Sequence, residues 1–140
     1  LFGGTPYSKL FTNVRERAGL AYYASSRLAP FSGLVNVQTG IQPTDYQTAL
    51  TMIQEQVTEL QTGNFTEDLM REVQDALINQ HYAGFDLANN ILEHHLVNQL
   101  LSLGEQTDFT NQINQVTKND VMKVASMIKL QASYLLSGEK

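Results

Sequence analysis

Three histidines, His81, His94 and His95, have the first claim on chemistry in this sequence. A helical zinc site needs two imidazoles at i and i+4, projecting from one face onto one metal. A glutamate between them then serves as base for the metal-bound water. None of the three meets that spacing. His81 has Leu77 and Phe85 four residues away, His94 has Asn90 and Asn98, and His95 has Ile91 and Gln99. Adjacent positions on a helix diverge by about 100°, so His94 and His95 do not converge either. The expectation is that this chain holds no metal, its histidines being helix-surface or boundary residues.

Other motifs fail on similar grounds. Gly3-Gly4-Thr5-Pro6-Tyr7-Ser8-Lys9 lacks the spacing of a phosphate loop and reads instead as close backbone approach at a helix start. Asn64-Phe65-Thr66 matches a glycosylation sequon, yet a helix cap at Thr66 accounts for it as well. Serines are many, but no Ser/His/Asp arrangement can be assembled from their positions. Cysteine is absent, which removes disulfides, thiolate ligands and thiol nucleophiles together. No nucleophile of its own is expected in this chain.

Arg15 and Tyr22 stand seven residues apart near the start of the chain. A guanidinium and a phenol are donors suited to a polarised carbonyl. Arg15 falls near the end of a first helix and Tyr22 at the start of the strand after it, so one tight turn separates them. The plainer alternative is a solvated cation in the last helical turn and a tyrosine packed on a sheet. On strict alternation Tyr23 points to the opposite sheet face from Tyr22.

The elements that must position this pair follow from period and punctuation. Thr5-Pro6 reads as an N-cap and first helical residue, with Tyr7, Leu10, Phe11, Val14 and Ala18 forming an apolar stripe that Gly19 stops. Residues 20–26 and 34–41 read as strands joined through Ala29-Pro30-Phe31-Ser32-Gly33, an antiparallel hairpin. Pro43 opens a helix striped by Tyr46, Ala49, Leu50, Ile53, Val57 and Leu60 and ended by Gly63. Thr66 with Glu67 and Asp68 opens another, which breaks near Gly84. Further helices are expected over 87–103, 108–116 and 118–128, the last capped by Thr117, and a third strand over 132–138. This order favours an α+β two-layer sandwich, a largely antiparallel sheet with helices on one face. No linker or repeat divides residues 1–140, so a single domain is expected.

Composition sets the outer bounds. The chain of 140 residues is 42% hydrophobic and 16% charged, a folded globule by both measures. Its net charge of −5, with cations scattered and only Arg15 and Arg17 close together, argues against nucleic acid. No apolar run reaches the roughly 18–20 residues of a membrane span, so no membrane partner is expected. The opening Leu1-Phe2-Gly3-Gly4 has neither an initiator Met nor a leader and reads as the start of an excised piece. A cytoplasmic location is the expectation in the absence of targeting signals.

Residues 8–26, Ser-Lys-Leu-Phe-Thr-Asn-Val-Arg-Glu-Arg-Ala-Gly-Leu-Ala-Tyr-Tyr-Ala-Ser-Ser, resemble the signature of the second domain of pitrilysin/insulinase (mitochondrial-processing-peptidase-like) zinc peptidases. Gly3-Gly4, Ser8-Lys9-Leu10-Phe11, Arg15-Glu16 and Gly19-Leu20-Ala21-Tyr22 fill each position of that pattern. Gly63 before Phe65-Thr66-Glu67, and Val116 to Val121 before the last segment, support it across nearly the whole chain. The flavour is that of bacterial predicted peptidases, which often occur as paired subunits, one with the zinc motif and one without.

The resemblance implies a metallopeptidase-homology domain, the C-terminal, non-zinc-binding fragment of a longer peptidase-like chain. Zinc, carried by His-x-x-Glu-His and a distant Glu, is then expected in a partner: an N-terminal zinc-binding peptidase domain or a paired peptidase subunit. Arg15 and Tyr22 are implied to bind peptide substrate, holding backbone carbonyls and helping to stabilise the oxyanion. The alternative is a catalytically dead scaffold in a larger complex.

Overall fold

A computed structural model of the chain describes residues 1–84, 92, 96, 97, 99, 100 and 108–138. The architecture is α+β, with two antiparallel strands and helices packed on one face of them. A π-helix spans Leu10–Arg17, strand β1 Ala21–Ala29 and strand β2 Leu34–Ile41. A short 3₁₀ turn at Pro43–Asp45 leads into α1, Tyr46–Gln61. Helices α2 (Glu67–Gly84), α3 (Phe109–Gln115) and α4 (Lys118–Ala125) follow. The helix expected over 87–103 lies largely outside the described residues.

The first helix departs from expectation in extent and winding. Thr5 and Pro6 form a turn, closed by the Ser8 N–H donating to the Thr5 carbonyl at 3.1 Å, and not a first helical turn. Thr5 Oγ1 is buried with no hydrogen-bond partner among the described residues, so it caps nothing. At the far end the Ala18 N–H donates to the Asn13 carbonyl at 3.2 Å, five residues back. Such winding has poorer hydrogen-bond geometry than an α-helix and needs support from elsewhere. Here Lys9 donates to Glu59 and Asn13 to Gln56, both on α1. Gln56 is only 4% exposed and also bonds the Met52 carbonyl, so this polar contact is buried and satisfied. Arg17 in turn donates to Asn13 at 3.2 Å.

Gly3 explains the entry. Its carbonyl accepts the Ser26 N–H of β1 at 2.8 Å, and a Cβ there would stand 2.6 Å from Ser26 N. Only a glycine lets the opening segment lie this close to the strand.

Two apolar clusters meet at Phe2. One joins Leu10 and Val14 of the π-helix to Ala21 and Ala24 of β1, with Val37, Ile41, Met52 and Ile53 packed around them. The other joins Leu60, Phe65, Met70 and Ala125, backed by Leu1, Leu69, Val121 and Met122. Unlike that at Thr5, the caps read at Thr66 and Thr117 are present, and Asp108 supplies a further one. Thr66 accepts the Leu69 N–H at 3.1 Å, Asp108 accepts the Asn111 N–H at 3.0 Å, and Thr117 and Asp120 cap each other's backbone. Gly63, at φ 73°, closes α1.

The expected third strand is a correction. Residues 132–138 join no ladder among the described residues, and Tyr134 and Leu136 are 85% and 83% exposed. The Tyr46 hydroxyl bonds Ser133 Oγ at 2.7 Å, a side-chain link that no backbone pairing accompanies. Alternating apolar residues supply a strand's faces, but pairing needs a neighbour, and local pattern says nothing about one.

Candidate functional site

At the start of the hairpin Tyr22, one of the two singled-out residues, departs from regular strand structure. β1 and β2 pair from Ala29↔Leu34 back to Tyr23↔Gly40, and then the register shifts so that Ala21 faces Ile41. Tyr22 is the extra residue, a β-bulge. Ala21 and Ala24 are both buried although three residues apart, so Tyr22 and Tyr23 both fall on the exposed side. The expectation that they point to opposite faces is corrected: strict alternation does not survive a bulge. Tyr23 covers Gly40, its Cε1 2.6 Å from where a Cβ would be. Tyr22 is 87% exposed and makes no hydrogen bond among the described residues.

Arg15 lies in the last turn of the π-helix, exposed, with its guanidinium carbon 4.5 Å from the centroid of the Phe11 ring. Such stacking orients a cation without neutralising it. Among the described residues Arg15 has no ion pair. The chain thus presents a pre-oriented guanidinium at the end of one element and an unpacked phenol at the start of the next. Both are donors.

Neither residue lines either of the two clefts beside the π-helix. One cleft, against α2, is walled by Tyr7, Phe11, Leu69 and Glu72. The other, against α1, is walled by Lys9, Asn13, Gln56 and Glu59, whose polar groups are already paired with one another. Sequence reasoning missed this paired row. Lys9, Asn13 and Arg17 recur every four residues, but nothing local marks partners more than 40 residues away on α1.

His81 stacks on Phe109 at 3.9 Å between centroids and meets Tyr82 edge-on at 5.5 Å, an aromatic setting between α2 and α3. His94 and His95 lie outside the described residues. Among the described residues no three His, Asp or Glu side chains gather as a metal would require, and no helix is long and apolar enough to cross a membrane. Within α4 the Asp120 carboxyl departs clearly from its ordinary value. The Thr117 side chain and then its backbone N–H, both donating to Asp120, hold that carboxyl below the usual aspartate range.

Comparison with known proteins agrees with this fold. The family model described as the Peptidase M16 inactive domain matches residues 1–77. The chain belongs to that family. The probable inactive metalloprotease YmfF of Bacillus subtilis (strain 168) is 39% identical over 140 residues, which is 99% of this chain and 33% of YmfF. A conserved protein from Enterococcus faecalis V583, known from its crystal structure, superposes with a TM-score of 0.79 at 36% identity, covering 89% of this chain and 30% of that one. A protease from Helicobacter pylori shares the fold, with a TM-score of 0.71 at 17% identity over 90% of this chain and 31% of that one. The chain therefore spans about a third of the length of the relatives it matches.

Proposed function

We propose that this chain is the peptide-holding, non-catalytic part of an M16-type assembly whose zinc and general base lie elsewhere. In this reading it closes a substrate chamber opposite an N-terminal peptidase domain or a paired subunit. Arg15 and Tyr22 reach the backbone carbonyls of a bound peptide and donate to the oxyanion as water attacks. The single observation that supports it is the bulge at Tyr22. It leaves a phenol 87% exposed and uncommitted, seven positions after an equally uncommitted guanidinium. A packing residue would be covered.

The test is Tyr22→Phe in the intact protein with its peptidase partner, assayed on a peptide substrate. Loss of one oxyanion donor lowers turnover by about 100-fold or more while substrate affinity changes little. Unchanged turnover would end the assignment.

A second reading has its own support. The relative from Bacillus subtilis is named as probably inactive, which favours a scaffold that binds without cutting. Zinc content of the purified assembly separates the two. Stoichiometric metal together with hydrolysis supports the first, and neither supports the scaffold.

A further inference from the structure

Charge is divided between the two layers in a way the net value hides. Of the nine Lys and Arg residues, Lys9, Arg15, Arg17 and Arg27 lie in the first 41 positions, and of the fourteen carboxylates only Glu16 does. No Asp or Glu occurs between Glu16 and Asp45, so the whole hairpin is free of acid. The remaining carboxylates all lie at Asp45 or beyond it in the sequence. Lys9 is neutralised by Glu59, but Arg15 and Arg27 have no ion pair among the described residues, and Arg17 bonds only the neutral Asn13.

The register then defines a surface. Ala24 is buried against the π-helix, so Tyr23, Ser25 and Arg27 turn away from it. Across the ladder these residues face Gly40, Gln38 and Asn36 in that order. Ser25, Arg27, Asn36 and Gln38 are all exposed, and none of their side chains makes a hydrogen bond among the described residues. Directly paired cross-strand side chains start about 5 Å apart at Cβ, so the Arg27 fork and the Asn36 amide can close on one carboxylate. Tyr22 and Tyr23 extend the same side with aromatic area.

We propose that the outer face of the β1–β2 hairpin is a specificity surface for acidic polypeptide, with Arg27 and Asn36 receiving a substrate carboxylate. The proposal rests on the peptide-holding reading above and adds to it a substrate class, extended chains bearing Asp or Glu. Complementarity of charge carries it. An acid-free hairpin with uncommitted donors on a chain of net −5 attracts an anionic ligand to this face and repels it from the helical one.

The experiment measures fluorescence anisotropy of three labelled ten-residue peptides, alike except for Glu, Gln or Lys at alternate positions, with the intact protein. The Glu peptide is expected to bind about fivefold tighter than the Gln peptide at low salt, with the margin shrinking at 0.5 M KCl. Arg27→Gln reduces that margin about threefold and Arg27→Glu reverses it, while Arg27→Lys keeps most of it. Arg27 is exposed and outside the core, so these variants fold as the parent does. Equal binding of Glu and Gln peptides overturns the proposal but leaves the peptide-holding reading intact, provided Arg15→Ala weakens both alike. Binding of none of the peptides overturns both. A salt-sensitive dimer that the Glu peptide cannot dissociate would assign this face to the acidic helices of a second copy and overturn the proposal as well.

Discussion

The ring of Tyr23 occupies the space above Gly40, its Cε1 and Cδ1 at 2.6 and 2.9 Å from the position of an absent β-carbon. The two residues are directly paired across the hairpin, next to the bulge. An aromatic laid over a cross-strand glycine restores the apolar cover that the glycine lacks.

Gly40→Ala therefore displaces the Tyr23 ring. The ring is half exposed and can swing away, so the expected cost is about 1 kcal/mol. In a Tyr23→Ala background the same substitution becomes neutral or mildly stabilising. A double-mutant cycle by urea denaturation reads the coupling, and strictly additive effects would contradict the contact.

Gly3→Ala is expected to be worse, because its new atom meets the Ser26 backbone nitrogen at 2.6 Å and not a movable side chain. The Gly3–Ser26 hydrogen bond would have to lengthen or break. About 2 kcal/mol is expected, read as a lower urea midpoint at unchanged slope.

The Lys9–Glu59 pair joins the π-helix to α1 with the lysine side chain 9% and the glutamate 34% exposed. Glu59→Gln leaves a buried ammonium without its counter-ion and costs about 1–3 kcal/mol, the lower end reflecting solvent access at the glutamate. Lys9→Met combined with Glu59→Met regains most of that loss. If Glu59→Gln alone proved silent, the pair would contribute nothing to holding the helix.

The Thr117–Asp120 capping box sets an acid limit on α4. Asp120 has a folded-state pKa lowered first by the Thr117 hydroxyl and then by the Thr117 N–H. A depressed carboxyl contributes stability in full above its unfolded value of about 3.9, and that contribution is lost as pH falls through the lower folded value. The melting temperature of Asp120→Asn should thus lie below the parent at pH 7, with the gap narrowing as the pH falls below about 4. A constant gap across that range would show that the box does not depend on ionised Asp120.

Much of this architecture is legible in the residues themselves. Thr66 and Thr117 announce their helices because a cap is a contact across three residues, and the hairpin is announced by Pro30 and Gly33 between two β-branched or aromatic runs. The departures are all non-local. Whether residues 10–17 wind with four- or five-residue spacing depends on Glu59 and Gln56, which no local period can reveal. The bulge at Tyr22 is set by which pairs the core selects, Ala21 and Ala24 together, against simple alternation. The third strand fails for the same reason, since Tyr134 and Leu136 alternate properly but find no ladder. Of the site, the identities of Arg15 and Tyr22 come from motif, whereas Arg27 becomes noticeable only when Asn36 is set opposite it.

Because Tyr22 is an inserted residue, the fold is indifferent to what it carries. Serine or asparagine there would satisfy the same backbone and leave the same core, so thermal stability exerts no preference among them. Whatever the phenol contributes is therefore to be read in assays other than those of the folding equilibrium.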